Sequence, residues 1–231
     1  MMSLARPNPK VLRRGFVAMV AVVALVCVMA GTGCRSTYYS VMETFGKHKR
    51  DLLRSSLTDA GETQQEATEQ FKDALTQLQE LTGFDGGELE KRYRAFKADY
   101  DGCVDLSDAV TRRIRKVERI ASDLFAEWER ELNEIGTPSL RADSRRKLSQ
   151  TRMRYEQLHA TLIRAETSMA PVLAQMKDYV LYLKHNLNAV AIGSLKSEAE
   201  SIGAEINSLI ADMNRSIEET QSFVMELEAQ E

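Results

Sequence analysis

Apolar side chains recur at alternating steps of three and four residues over most of the chain. One stripe runs Tyr93, Phe96, Tyr100, Cys103, Val110, Ile114, Val117, Ala121, Leu124, Trp128 and Ile135, interrupted only by Ser107 and Glu131. A second runs Leu148, Thr151, Tyr155, Leu158, Leu162, Ala165, Met169, Val172, Met176, Tyr179 and Leu183, and continues to Asn186 and Val190. A third runs Leu195, Ala199, Ile202, Ile206, Leu209, Met213, Ser216, Thr220, Phe223 and Leu227. An earlier, looser stripe takes in Leu53, Leu57, Ala60, Gln64, Ala67, Phe71, Ala74, Leu78 and Leu81. Such steps keep the apolar residues on one face of a 3.6-residue helix, so each stripe is a seam that buries against another helix. A half-buried strand would alternate with period two, and no Val/Ile/Thr-rich segment does so.

The stripes break where turn chemistry is present. "TGFDGGELE" places three glycines around Asp85, a candidate helix cap, and "IGTPSLR" offers Gly136 as a stop, Thr137 as N-cap and Pro138 in the first turn. Around "KHNLNAVAIGS" two asparagines and Gly193 weaken the helix without forcing an end. The pattern therefore predicts helices at about 38–82, 87–135, 138–186 and 190–229. Each would be roughly 60–75 Å long at about 1.5 Å per residue. Matched lengths and short connections predict an all-α fold, an elongated antiparallel four-helix bundle or coiled coil. Pro171 falls inside the third helix, and because the stripe continues past it, a kink rather than an end is expected. The stretch from Pro171 to Leu195 is apolar on nearly all sides, which predicts the most buried part of the bundle.

Charge is arranged to suit that packing. Folding back at Gly136 sets the acids Asp123, Glu127, Glu129, Glu131 and Glu134 against Arg141, Arg145, Arg146, Lys147, Arg152 and Arg154. Glu226, Glu228 and Glu231 would reach the same level on the last helix. Exposed pairs contribute only about 0–1 kcal/mol each, so their role is to choose orientation by penalising like-charge registers. One misfit is expected: Lys47, Lys49, Arg50 and Arg54 would lie near Arg115, Lys116 and Arg119.

The first forty residues read differently. Arg6, Lys10, Arg13 and Arg14 precede an unbroken apolar run, "FVAMVAVVALVCVMA", from Phe16 to Ala30. A basic start, a short apolar core and small residues at its end make an export signal, here residues 1–33. "GTGC" then resembles a bacterial lipobox, in which small residues precede a cysteine that is lipidated and becomes the new N-terminus. Thr32 and Gly33 fit that pattern, while Gly31 stands where an apolar residue is usual. Lipidation of Cys34 is the expectation, leaving residues 34–231 outside the cytoplasm and held to a membrane by the N-terminal lipid. Arg35 follows the cysteine, and the absence of Asp there favours the outer membrane over the inner. Gly31 to Gly33 would extend the apolar run towards the roughly 20 residues of a membrane span. A retained anchor at the inner membrane is therefore the alternative. The packing places Cys34, the Gly136 loop and the C-terminus at one end, with the Gly86–Gly87 loop and the Asn186–Gly193 segment at the far tip.

Composition narrows the chemistry. Losing the four leader cations leaves 27 basic residues against 34 acids. An acidic chain lacks the basic surface with which proteins displace counterions from nucleic acid, so no nucleic-acid partner is expected. Cys103 is the only thiol after Cys34, and its place in a stripe makes it a buried core residue. "DYDGCVDLSD", Asp99 to Asp108, lacks the alternating ligands and final Glu of a calcium loop and sits inside the strongest stripe. It reads as a solvated helix face. "RRIRKVER", Arg112 to Arg119, could meet anions, but Ile114 and Val117 make it an ion-paired helix surface. In "LKHNLNA", His185, Asn186 and Asn188 interrupt an apolar helix. They read first as residues that fix register or end the helix, and second as a functional tip. His48 and His159 have no metal-ligand spacing with His185. No HExxH, phosphate-binding loop or dinucleotide glycine motif is present. The chain carries no legible catalytic set, and neither a cofactor nor a metal is expected.

"TYYSVMETFGKHKRD", "EQFKDALTQL", "LFAEWEREL" and "VLYLKHNLNAVAIGSL" together resemble an uncharacterised proteobacterial family built on a domain of unknown function, whose members carry a lipoprotein-like signal. The resemblance spans nearly all of the chain after the signal. It implies an envelope location and a helical structure, and it brings no activity and no site residues. The sequence thus leads to a lipid-anchored periplasmic scaffold or adaptor for an unidentified envelope protein, with a homo-oligomer among the possible assemblies. The alternatives are a bundle that holds an apolar ligand or lipid in its core near Pro171, and a signal-anchored inner-membrane coiled coil.

Overall fold

The computed structural model describes residues 48–83 and 88–229. The signal, Cys34, the predicted start of the first helix at 38, the candidate cap Asp85 and Glu231 lie outside the described residues. The chain divides into two units, Met1–His48 and Lys49–Glu231. The second is all helix with short connections, and no strand occurs among the described residues. Helix α1 covers residues 48–82, α2 Leu89–Glu134, α3 Pro138–His185, α4 Ala189–Ser194 and α5 Lys196–Glu228.

Four long helices pack up-down-up-down, and the cross-helix pairs fix the order. Asp59 meets Arg113 and Gln70 meets Asp99 between α1 and α2. Glu118 meets His159 and Trp128 meets Ser144 between α2 and α3. Arg154 with Glu226, Ser168 with Asp212 and Gln175 with Glu205 join α3 to α5. Gln64 with Ser216 and Arg54 with Glu228 close the ring between α5 and α1. Along each interface the residue numbers fall on one helix as they rise on the other, so every neighbour is antiparallel. At about 1.5 Å per residue, the 48 residues of α3 span about 70 Å.

The core is the four stripes meeting. Every named position of the α1 stripe is at most 1 % exposed, and Phe71, Phe96, Leu162, Met176 and Ile206 are fully enclosed. Each such side chain stabilises the fold by about 1.5–3 kcal/mol when removed from water, several times the worth of an exposed ion pair. Phe125 and Leu132 also join the core, because a straight helix drifts against a strict seven-residue repeat. Glu131, on the stripe proper, is only half-buried.

The α2–α3 turn forms without a left-handed glycine. Ile135 is extended, Thr137 is extended because Pro138 disfavours helical backbone before it, and α3 begins at Pro138. Gly136 lies outside the left-handed region and a Cβ there would meet nothing within 4 Å. Thr137 holds the N-cap position but its side chain makes no capping bond. Instead Arg141 clasps the turn, its guanidinium donating to the Ile135 carbonyl at 2.8 and 2.6 Å.

Three expectations need correction. Lys47 lies outside the described residues, and among the others the like-charge misfit is relieved, because Lys49 sits opposite Glu127 at 2.8 Å and Asp59 faces both Arg113 and Lys116. The seam of α3 does not reach Val190, which is 83 % exposed. The helix ends at His185, and Ile192 on α4 turns inward instead. The segment after Pro171 is not the most buried part. It buries one face through Val172, Met176, Tyr179, Val180 and Leu183 and leaves Leu181 and Tyr182 on the surface. A helix at the corner of a four-helix bundle has neighbours on only part of its circumference, so an all-round apolar helix there leaves a face exposed. Pro171 itself lies within an uninterrupted α3.

Candidate functional site

His185, Asn186 and Asn188 cluster at the tip where α3 ends, and all three are exposed. Asn186 ends the helix. Its backbone N–H donates to the carbonyls of Tyr182 and Leu183, and its side-chain Nδ2 donates to the Tyr182 carbonyl at 3.0 Å. These bonds satisfy carbonyls that the last turn would otherwise leave open. Lys184 and His185 lie in that last turn, where positive charge suits the helix dipole. The Asn188 N–H donates to the Asn186 carbonyl, and α4 starts one residue later. The segment thus acts as a corner.

Next to this corner, α3 and α5 leave a surface groove of about 460 Å³. Its floor is apolar, formed by Tyr179, Tyr182, Leu195 and Ile202, and its rim carries the carboxylates Asp178 and Glu198. Tyr179 is 4 % exposed and its ring meets Phe96 edge-on, 5.8 Å between centroids. Its hydroxyl has no hydrogen-bond partner among the protein atoms described. Burial, with Glu198 adding repulsion, pushes the Tyr179 phenol up to about 12, so it stays a neutral donor.

A second polar feature lies midway along the α1–α5 seam. Gln64 and Ser216 are both fully buried, and the Ser216 hydroxyl donates to Gln64 Oε1 at 3.1 Å. Thr68 and Thr220 turn their hydroxyls back to carbonyls one turn earlier, at Gln64 and Ser216. Gln64 Nε2, like the Ser56 hydroxyl two turns earlier, has no partner among the described atoms. Such a pair fixes which turn of α1 faces which turn of α5, as buried polar residues do in coiled coils.

The charged motifs fall into structural roles. Asp99 to Asp108 are helical throughout, so they cannot wrap an ion as a loop does, and Asp99 accepts a bond from Gln70 at 3.1 Å. Within Arg112 to Arg119, Arg113 pairs with Asp59 at 2.9 Å while Ile114 and Val117 are core. Cys103 is fully buried, and desolvation pushes its thiol up to about 12. No cluster of metal-binding side chains occurs among the described residues. Among them, too, no helix is long and apolar enough to cross a membrane.

A family model described as a protein of unknown function, DUF2959, matches residues 38–227. The chain belongs to this family. The DUF2959 match takes in α1 to α4 and all but the last residue of α5, and it begins four residues after Cys34. No curated protein matches the chain.

The groove and the buried pair were not legible beforehand. Gln64, Ser216 and Thr220 stood in their stripes as polar interruptions, but only the register between helices 152 residues apart in sequence joins Gln64 to Ser216. Asp178 and Glu198 belong to no motif, and only the packing of α3 on α5 brings them to one groove.

Proposed function

We propose that this DUF2959 protein is a lipid-anchored scaffold or adaptor of the cell envelope, held to the membrane through Cys34 and presenting a rigid helical rod. The observation that carries this reading is the bundle itself. Four helices close into one filled core, and α3 alone runs about 70 Å, a shape suited to spanning distance and offering long surfaces. The export signal and lipobox-like "GTGC" supply the address, and Arg35 favours the outer membrane. Several acyl chains on one cysteine anchor a protein far more firmly than one, at about 0.8 kcal/mol per buried CH₂.

The alternative of an apolar ligand in the core near Pro171 is less favoured. Met169, Val172 and Met176 flank that proline and are at most 2 % exposed. A core ligand would have to displace packed side chains. The test is to express the full chain in a Gram-negative host and weigh its N-terminus beside a Cys34→Ala variant. A start at Cys34 with added acyl mass, lost in the variant, is expected. An intact N-terminus in both proteins would refute the lipid anchor and make the apolar run a retained one.

A further inference from the structure

Two adjoining stripes of α3 carry opposite halves of one contact. The exposed stripe places Leu181, 48 % exposed, between Lys177 and Lys184. Residues spaced by three, four and seven share one side of a helix, so the three form a row of cation, apolar group, cation. The neighbouring stripe opens into the groove, where Tyr182, Leu195 and Ile202 form an apolar floor between the carboxylates of Asp178 and Glu198. That is a row of acid, apolar recess, acid. Lys177, Lys184 and Asp178 have no ion-pair partner among the described residues, and Glu198 accepts only the Ser197 hydroxyl, at 2.9 Å. Elsewhere on the bundle, cations and acids of neighbouring helices do pair.

We propose that this face binds a second copy of the chain, Leu181 of each copy entering the groove of the other, with Lys177 and Lys184 against the partner's rim carboxylates. A twofold contact is isologous and requires a patch that is complementary to itself. This patch meets that condition because its knob and its recess lie side by side with opposite charge. A second copy fits better than a membrane or an unrelated peptide, because each of those would satisfy one half and leave the other unpaired. Tyr182, 41 % exposed, and Val190 lie at the same tip and extend the apolar area available to the contact. The inference stands whether or not Cys34 carries lipid.

The experiment is light scattering with protein mass resolved from detergent, on the full chain in micelles over a concentration series. One variant, Lys177→Glu with Lys184→Glu, makes knob and recess both acidic. A second, Asp178→Lys with Glu198→Lys, makes both basic. All four positions are exposed, and circular dichroism checks that each variant keeps its helix content. The unaltered chain is expected to reach twice its monomer mass and to dissociate as salt rises. Each variant alone is expected to stay monomeric. An equimolar mixture of the two is expected to recover the dimer, since each knob then meets a recess of opposite charge. A monomer at every concentration would overturn the proposal. So would a dimer that ignores both charge reversals, which would place the interface elsewhere, for instance in the apolar N-terminal run. Loss in both variants without recovery in the mixture would also overturn it.

Discussion

Replacing the buried amide of the Gln64–Ser216 pair, alone or together with the hydroxyl, should strengthen the bundle, while removing only the hydroxyl should weaken it. Both side chains are fully enclosed, and one 3.1 Å bond joins them. Ser216→Ala removes the donor and leaves the whole Gln64 amide without partners. A buried polar group so stranded costs about 1–3 kcal/mol. Gln64→Leu replaces an amide whose Nε2 is already unpaired with an apolar chain of similar volume. The Ser216 hydroxyl can then turn to the carbonyl one turn back, as Thr220 does. A net gain of about 1 kcal/mol is expected, and about 1–2 kcal/mol for the double variant. The effect of Ser216→Ala should therefore depend strongly on residue 64, with a coupling of about 1–3 kcal/mol. Urea unfolding of the full chain in micelles, followed by far-ultraviolet circular dichroism, measures all four corners of the cycle. A loss of about 2 kcal/mol or more in Gln64→Leu would refute the reasoning. It would mean that the amide is satisfied in a way the packing of α1 on α5 does not show.

Three further outcomes are expected. Leu162→Ala, at a fully enclosed position, should cost about 2–5 kcal/mol in the same assay, whereas Leu140→Ala, 61 % exposed, should change stability little. Cys103 should resist Ellman's reagent at pH 8 in the native state and react fully in denaturant. Its thiol is enclosed and raised to about 12, so almost no thiolate exists there. Glu131→Gln should stabilise the bundle at pH 7, because desolvation and the neighbouring Glu127 and Glu134 raise its carboxyl above the ordinary range. The folded state then takes up that proton at a higher pH than the unfolded chain does. The destabilisation is complete above the folded value and absent below the unfolded one, so the gain from Glu131→Gln should fade as pH drops through the carboxylate range. A gain that grew on acidification would contradict this account.

The sequence by itself determined the four long helices and nearly all of the core, but not the break at Leu195 that sets the short α4 apart from α5. A 3-4 stripe is a local property: Leu53 to Leu81, or Ala199 to Leu227, share one helix face whatever lies opposite, and burial of that face follows. The proline after Thr137 likewise marks the α2–α3 turn from two adjacent residues. Charge gave orientation in outline, and Arg152 does meet Glu129, at 2.7 Å. Only the tertiary structure decided what depends on register and on the number of neighbours each helix has. Register set Lys49 against Glu127 rather than against Arg115, and it brought Gln64 to Ser216. Packing left the outer side of α3 without a neighbour, so Leu181 and Tyr182 came to the surface although their segment reads as core. The groove between Asp178 and Glu198 depends in turn on how α3 meets α5. A single helix carries its own periodicity, but the space between two helices belongs to neither sequence segment alone.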